Sequence, residues 1–424
     1  MKLIQNFTQF LLFLIPFQFA LNIGSTIDLA IIRVAIIALF LIYLTVALYK
    51  KNLIIPKGLI ALFSFLFIFW TTFSIFYTPV LSWTLRKIIF LIFIGIIFLV
   101  FTNILNYAKK ENKIDSLIKY LVAGSILVSL IGIIQFFSQF ILGLNTILNL
   151  WTAIAPFFLG NSFSEAVIGY NSWLVNVAGV NLIRATAFFP DPHIFSFYCG
   201  LTAPFSLALF SKTKKYFWLL GFFTIILVDL LTFTRGGYFG LLVGFTVGII
   251  LFWSQLKTFH KHLATLFIIL FILILFIPNN FFINRFQSSF DQSDNSVNLR
   301  LELLSEAWQT VQENLFVGVG LGAYPKVVNP QADYRMPIYA HNTYLDIWVE
   351  LGLIGFLLFL ILLFTLLIIF YKNREKTFPK FAIISLSIFM GHLIFDTPIF
   401  SVHIFPVFIF IVALGSFYEN EISN

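Results

Sequence analysis

The chain has 424 residues, 60% of them hydrophobic and only 10% charged, with a mean hydropathy of +0.98. Soluble domains carry roughly 25% charged residues, so that class is excluded, and the recurring apolar runs describe a polytopic membrane protein. The net charge of +8 needs no nucleic-acid partner, because lysines flanking membrane spans supply it; the single cysteine, Cys199, excludes an internal disulfide and a Cys-based zinc site.

A span needs about 20 apolar residues. In chain order the predicted spans are 5–23, 28–49, 55–77, 88–107, 117–143, 193–211, 215–233, 237–256, 263–280, 346–371, 379–397 and 399–417, an all-α arrangement of about twelve transmembrane helices. The first apolar run follows Lys2 and lacks a small-residue cleavage site, so it is expected to be a retained span. Only short turns divide 215–233 from 237–256 and 379–397 from 399–417. The stretch 148–160 is apolar but short and is expected to re-enter the membrane or lie in its interface.

Basic residues set the direction. "YKKNLIIPK", "AKKENKIDSLIK", "SKTKK", "KTFHKH" and "YKNREKTFPK" all fall on one side of this arrangement. The positive-inside rule makes that side cytoplasmic, with both termini. Of the lysines, only Lys87 and Lys326 fall on the outer, periplasmic side; of the arginines, only Arg374 falls inside. Arg33, Arg86 and Arg285 read as headgroup anchors. Arg184, Arg235, Arg300 and Arg335 are also outer, and arginine suits bidentate binding of phosphate or carboxylate.

Two outer segments are long, 144–192 and 281–345. The second is the most polar part of the chain and is expected to carry an amphipathic helix at about 297–313, with Leu303, Leu304, Ala307, Trp308 and Val311 on one stripe and Gly318, Gly320 and Gly322 ending it. The chain thus divides into N-terminal spans (1–143), an outer segment (144–192), a polar, motif-bearing region (184–357, with the loop 281–345) and C-terminal spans (358–424).

Four polar constellations interrupt the apolar sequence. "LIRATAFFPDPHIFSFYCG" (182–200) places Arg184 before Pro190 and Pro192; alone it reads as a proline turn with a lipid anchor. "DLLTFTRGGYFG" (229–240) puts Arg235 in a break between two spans, where an arginine marks function by default, the bland reading being an ion pair with Asp229. "NLRLELLSEAWQTVQENLFVGVGLGAYP" (298–325) carries Arg300 and a Gly-x-Gly-x-Gly that follows a helix, not a strand, and so is no nucleotide fingerprint. "AHNTYLDIWVELG" (340–352) opens a span with His341. Metal binding there is not expected: the motif is not His-Glu-x-x-His and no second histidine is near in sequence. His193 shares its side, His260 and His262 are expected to be solvated inside, and His392 is expected to bond internally with Asp396.

These pieces, in this order and spacing, resemble the O-antigen ligase and polymerase superfamily, most strongly over 184–357. "R…W…N-x-L-x-G-x-G-x-G" followed by "HN-x-Y-L…E-x-G-L-I-G" is the specific pair. The family often has Asn after the proline where this chain has Asp191-Pro192-His193. The resemblance implies a membrane glycosyltransferase without metal or cofactor, working by inverting displacement. The donor it implies is a polyprenyl-diphosphate-linked glycan, and the acceptor lipid A–core (a ligase) or another glycan chain (a polymerase), among membrane lipids and with no nucleic acid. Carried onto this sequence, His341, Arg235 and Arg300 are the expected catalytic residues, with Arg184, Arg235 and Arg300 on the diphosphate and Asn342, Tyr344 and Glu350 in support. The chemistry agrees: guanidiniums stabilise the departing diphosphate, and a neutral imidazole takes the acceptor proton. A flippase or transporter of the lipid-linked glycan is the alternative of another class. Such a protein carries polar groups at mid-membrane and on both faces, whereas here they gather on one.

Overall fold

The computed structural model describes residues 2–22, 28–51, 53–110, 113–169, 172–177, 179–255, 295–334, 339–398 and 401–423. The predicted span 263–280 lies outside them, as do Arg285, Arg335, His260 and His262. The described chain is mainly helical. In order it forms α1 (Lys2–Leu14), a hairpin of β1 (Ala20–Asn22) and β2 (Asp28–Ala30), α2 (Ile31–Tyr49), α3 (Leu59–Phe73), α4 (Leu81–Lys110), α5 (Ile114–Leu142), α6 (Leu144–Leu159) and α7 (Asn161–Gly169). A second hairpin, β3 (Leu174–Val177) and β4 (Val180–Ile183), precedes α8 (Pro192–Thr213), α9 (Tyr216–Leu231), α10 (Arg235–Phe252), α11 (Asn295–Glu313), α12 (Tyr324–Val328), α13 (Thr343–Lys372), α14 (Thr377–His392) and α15 (Ile404–Ser423).

Among the described residues, 8 helices are long and apolar enough to cross a membrane: α2, α3 with the turn after it, α4, α5, α8, α10, α13 and α15. Three predicted spans are shorter than expected. The 5–23 run is helical only to Leu14, because Pro16 cannot continue a helix, and the chain turns into β1. The α9 helix has 16 residues. The 379–397 run is helical only to His392, where the chain turns ahead of Pro398. The expected outer helix is present as α11, with Leu303, Ala307 and Val311 buried and Trp308 exposed.

Local signals set the starts that matter. Asp191 caps α8 by accepting from Ile194 N–H at 2.8 Å, with Pro192 in the first turn. Asn342 caps α13 by accepting from Leu345 N–H at 3.1 Å. At the centre, α8 packs against α5, α9, α14, α10 and α15. Helix α10 meets α14 along Gly236, Gly240 and Gly244; a Cβ at Gly240 would stand 2.7 Å from the Ile388 carbonyl oxygen. Small residues spaced by four let two membrane helices approach this closely.

Among the described residues, the lysine-rich segments 108–119, 211–215 and 371–380 are tied together at one end of the bundle. Lys109 and Lys376 each lie 2.6 Å from Glu421, and Lys212 lies 2.6 Å from Asp115. Glu419 accepts from Leu59 and Ile60 N–H at 2.5 and 3.2 Å, capping α3. The length of α13 separates this end from His341.

Candidate active site

Helix α13 is broken. Gly352 adopts φ 65° and ψ −174°, so the helix divides into 343–351 and 353–372. A break strands backbone groups on both sides, and buried orphans are costly. The segment after α11 meets them. Val319 and Gly320 N–H donate to the Val349 and Glu350 carbonyls at 2.9 and 2.8 Å, and Leu353 N–H donates to the Leu315 carbonyl at 2.8 Å. Trp70 Nε1 donates to the Leu351 carbonyl at 2.8 Å. The Gly-x-Gly-x-Gly is therefore a backbone splint across the break; at Gly318 a Cβ would collide with the backbone of Glu350 and Gly352.

The same splint explains Glu350 and the misplaced Lys87. Lys87 Nζ lies 3.4 Å from Glu350 Oε1, with both side chains 7% exposed. Lys87 also bonds the Tyr339 hydroxyl and sits 4.9 Å from that ring's centroid. Burial pushes the Tyr339 phenol well above its ordinary pKa, with Glu350 adding to the effect. Lys87 and Glu350 are thus a buried ion pair that ties α4 to α13 and, through Tyr339, to the loop that carries His341.

His341 sits at the head of the first half-helix with φ 52°, a left-handed conformation uncommon outside glycine and concentrated at functional sites. Several bonds hold it there. Ala340 N–H donates to Asp346 Oδ1 at 2.9 Å, and Thr397 Oγ1 donates to the other oxygen. Thr343 donates from N to the Leu393 carbonyl at 2.9 Å and from Oγ1 to the Asp396 carbonyl at 2.7 Å. Tyr344 donates to the Met390 carbonyl at 2.8 Å. The His341 ring lies 3.1 Å, through Nδ1, from Asp396 Oδ1. A carboxylate only accepts, so Nδ1 is the donor in this contact, and Nε2 is the ring atom left to face a ligand. The imidazole is 45% exposed and the carboxylate 7%, so the ring can meet a ligand while its partner cannot.

Asp396 gathers more than the sequence indicated. His193 Nδ1 lies 2.5 Å from its Oδ2, and His392 Nε2 lies 3.8 Å from the same oxygen. His392 stacks on Phe197 at 3.6 Å between centroids. In the sequence His193 only shares a side with His341, and His392 pairs locally with Asp396; the fold brings all three histidines to one carboxylate. His193, His392 and Asp396 offer ligand atoms within 4.8 Å of one another, a grouping able to hold a metal ion that spacing in the chain did not suggest. Two ligands of one tetrahedral zinc, each about 2.0–2.1 Å from it, stand about 3.3 Å apart. The 2.5 Å between His193 Nδ1 and Asp396 Oδ2 is closer than that, and His193 Nδ1 and His392 Nε2 are both buried without a hydrogen-bond partner.

Of the arginines, Arg235 begins α10 beside this cluster: a Cβ on its neighbour Gly236 would lie 2.5 Å from His392 Cδ2 and 2.9 Å from Phe395 Cβ. Asp229 accepts from Ser196 Oγ at 2.5 Å. Arg184 is buried, and its guanidinium donates to the Thr232, Ser172 and Phe233 carbonyls at 2.7, 3.2 and 3.3 Å. It holds the turn that delivers Arg235, with Phe233 at φ 52°. Arg300 lies in the second turn of α11, half-buried.

Close to His341, an apolar cavity of ≈ 120 Å³ opens between α3, α4, α13, α14 and α15. Phe67, Ile94, Phe359 and Phe408 are among its apolar lining residues, Ser64, Thr71, Thr343 and Glu350 are its polar ones, and Leu393 lies on its wall. Thr343 and Leu393 are the residues that fasten the His341 turn to the Asp396 segment.

If Asp396 orients His341, Asp396→Asn should lower activity by about 10²-fold or more, because an amide can present N–H to Nδ1 and stabilise the wrong tautomer. Equal rates for Asp396→Asn and the parent, at equal amounts of folded protein, would assign Asp396 to packing.

Fold and site together define a polytopic membrane protein with a histidine–carboxylate centre next to an apolar cavity. Residues 220–360 match the family model described as O-Antigen ligase, and this match supports placing the chain in the O-antigen ligase-related superfamily, as the motifs implied. The matched stretch includes Arg235, Arg300, His341, Asn342, Tyr344 and Glu350, and leaves out Arg184, His193 and Asp396. A search of curated proteins gives no match.

Proposed function

We propose that this protein transfers a glycan from a polyprenyl-diphosphate carrier to an acceptor hydroxyl on the outer face of the inner membrane, as an O-antigen ligase acting on lipid A–core. The observation that carries this reading is the His341–Asp396 pair next to an apolar cavity that Thr343 and Leu393 line, with Arg235 beside the cluster. A cavity lined by Phe and Ile takes part of a carrier's hydrocarbon tail, and the diphosphate then lies towards His341.

In the reaction, His341 Nε2 takes the acceptor hydroxyl proton as that oxygen attacks the anomeric carbon. The bond from that carbon to the diphosphate oxygen breaks with inversion, and the electron pair leaves on the diphosphate. Arg235 and Arg300 offset this growing charge, where preorganised donors count most. Arg184 acts through the turn before Arg235, and Asn342, Tyr344 and Glu350 hold the histidine.

Reconstitution with a defined lipid-linked donor tests the reading: transfer to lipid A–core is expected, transfer to a second lipid-linked glycan would identify a polymerase, and transfer to neither would end the proposal. Within that assay, Arg235→Lys keeps the charge but loses the planar fork. It should fold and lose most activity, and full activity would show that charge alone suffices.

A further inference from the structure

We propose a divalent-metal site, suited to zinc, formed by His193 Nδ1, His392 Nε2 and Asp396 Oδ2. It does not depend on the glycosyl-transfer reading, because His341 meets the other oxygen of that carboxylate, Oδ1. The three ligands come from separate places in the chain: the first turn of α8, the last residue of α14 and the turn after it. Their donor atoms all lie within 4.8 Å of one another. His193 Nδ1 is 2.5 Å and His392 Nε2 3.8 Å from Asp396 Oδ2, on either side of the roughly 3.3 Å that two ligands of a tetrahedral zinc keep. Three atoms with those two separations and a third of at most 4.8 Å share a centre about 2.4 Å or less from each. Zinc holds nitrogen and oxygen at about 2.0–2.2 Å, so side-chain shifts of less than about 1 Å complete the sphere.

The rival reading is direct pairing of the imidazoles with the carboxylate. At 2.5 Å only misalignment denies His193 and Asp396 a hydrogen bond, so Nδ1 aims past the oxygen. His392 Nε2 is too far away for one, and its ring is held nearly parallel to Phe197, 8° between planes. The His392 side chain is 1% exposed, and a buried polar atom without a partner is rare and costly. An ion between the rings takes both lone pairs. Gly236 faces Nε2 with no side chain, and a Cβ there would stand 2.9 Å from it. Two imidazoles and one carboxylate are a donor set that zinc accepts, with the fourth position left to water. His193, 23% exposed, marks the side from which the ion enters.

The test is zinc binding by the purified full chain in detergent, carrying no histidine tag. Bound metal is measured by inductively coupled plasma mass spectrometry after gel filtration, and affinity by competition with a chromophoric chelator. The parent should retain one zinc that His193→Asn and His392→Gln each bind at least about 100-fold more weakly, beyond the 10–100-fold that changes outside the ligand sphere cost. His341→Gln leaves all three ligands in place and should keep the ion; its loss there would overturn this ligand set. A parent that takes up no zinc, or His193→Asn and His392→Gln proteins that bind as tightly as the parent, would overturn the site. If neither ligand variant folds, X-ray absorption of the zinc-loaded parent decides. Four nitrogen and oxygen neighbours at about 2.0–2.2 Å, two of them imidazoles, are expected, and a six-coordinate or sulfur-bound ion overturns the proposal.

Discussion

His341→Ala should reduce glycan transfer by about 10²–10⁴-fold, the usual worth of a general base, while expression and donor binding stay near parental levels. His341→Gln is the sharper variant. Glutamine can keep a hydrogen bond to Asp396 Oδ1 but cannot accept a full proton at neutral pH. It should therefore be nearly as inactive as alanine if His341 is the base. Raising external pH should partly restore either variant, since hydroxide can replace the missing base. If the ring only fastens the turn at Asn342, glutamine restores substantial activity and pH matters little. Initial rates of purified His341→Gln across pH separate the two readings.

Gly352→Ala should be the most damaging single-methyl change in the described chain. The backbone there, φ 65° and ψ −174°, lies in a region essentially reserved for glycine, which costs an alanine about 1–3 kcal/mol. Its Cβ would also collide with the Phe316 carbonyl, which faces the break. The total should exceed about 3 kcal/mol and appear as poor accumulation or a large loss of thermal stability. Gly143 is the control. Its φ is 86° but a Cβ there meets nothing within 4 Å, so Gly143→Ala should show backbone strain alone. Thermal unfolding of the two variants in the same detergent decides the matter, and similar Tm values would mean that the splint yields.

Much of the fold was legible because membrane helices write their length and period into the sequence. The extent of α11, its buried stripe and the glycine turn after it follow from 3.6-residue spacing and from backbone sterics. Helix ends were less legible: Pro16 and the turn before Pro398 shorten runs that hydropathy alone extends. Within the site, local motifs exposed His341, Asn342 and Arg235, because a polar group at a helix mouth stands out against apolar sequence. Partners distant in the chain left no such mark. Asp396 looked like a neighbour of His392, four residues before it, and nothing in the sequence tied it to His341, 55 residues away, or to His193. Lys87 appeared as an exception to the charge rule; its pairing with Glu350 is the reason. Arg184 was legible as a diphosphate ligand from its residue type, but not as the residue that also holds the carbonyls of Thr232 and Phe233 in the turn before Arg235.

The break at Gly352 also bears on how the chain enters the bilayer. Residues 353–372 form an apolar helix of 20 residues, which is long enough to span by itself. The half-helix before it carries Asp346 and Glu350, and an acidic side chain at mid-membrane costs the insertion machinery roughly 2.5–3.5 kcal/mol. A continuous helix would force those carboxylates to compete with the apolar segment for the same passage. Division at glycine lets the apolar half partition into lipid on its own. The acidic half packs on Lys87 and Trp70, which belong to segments synthesised earlier, so the turn that carries His341 can be completed by docking once the apolar half is in place.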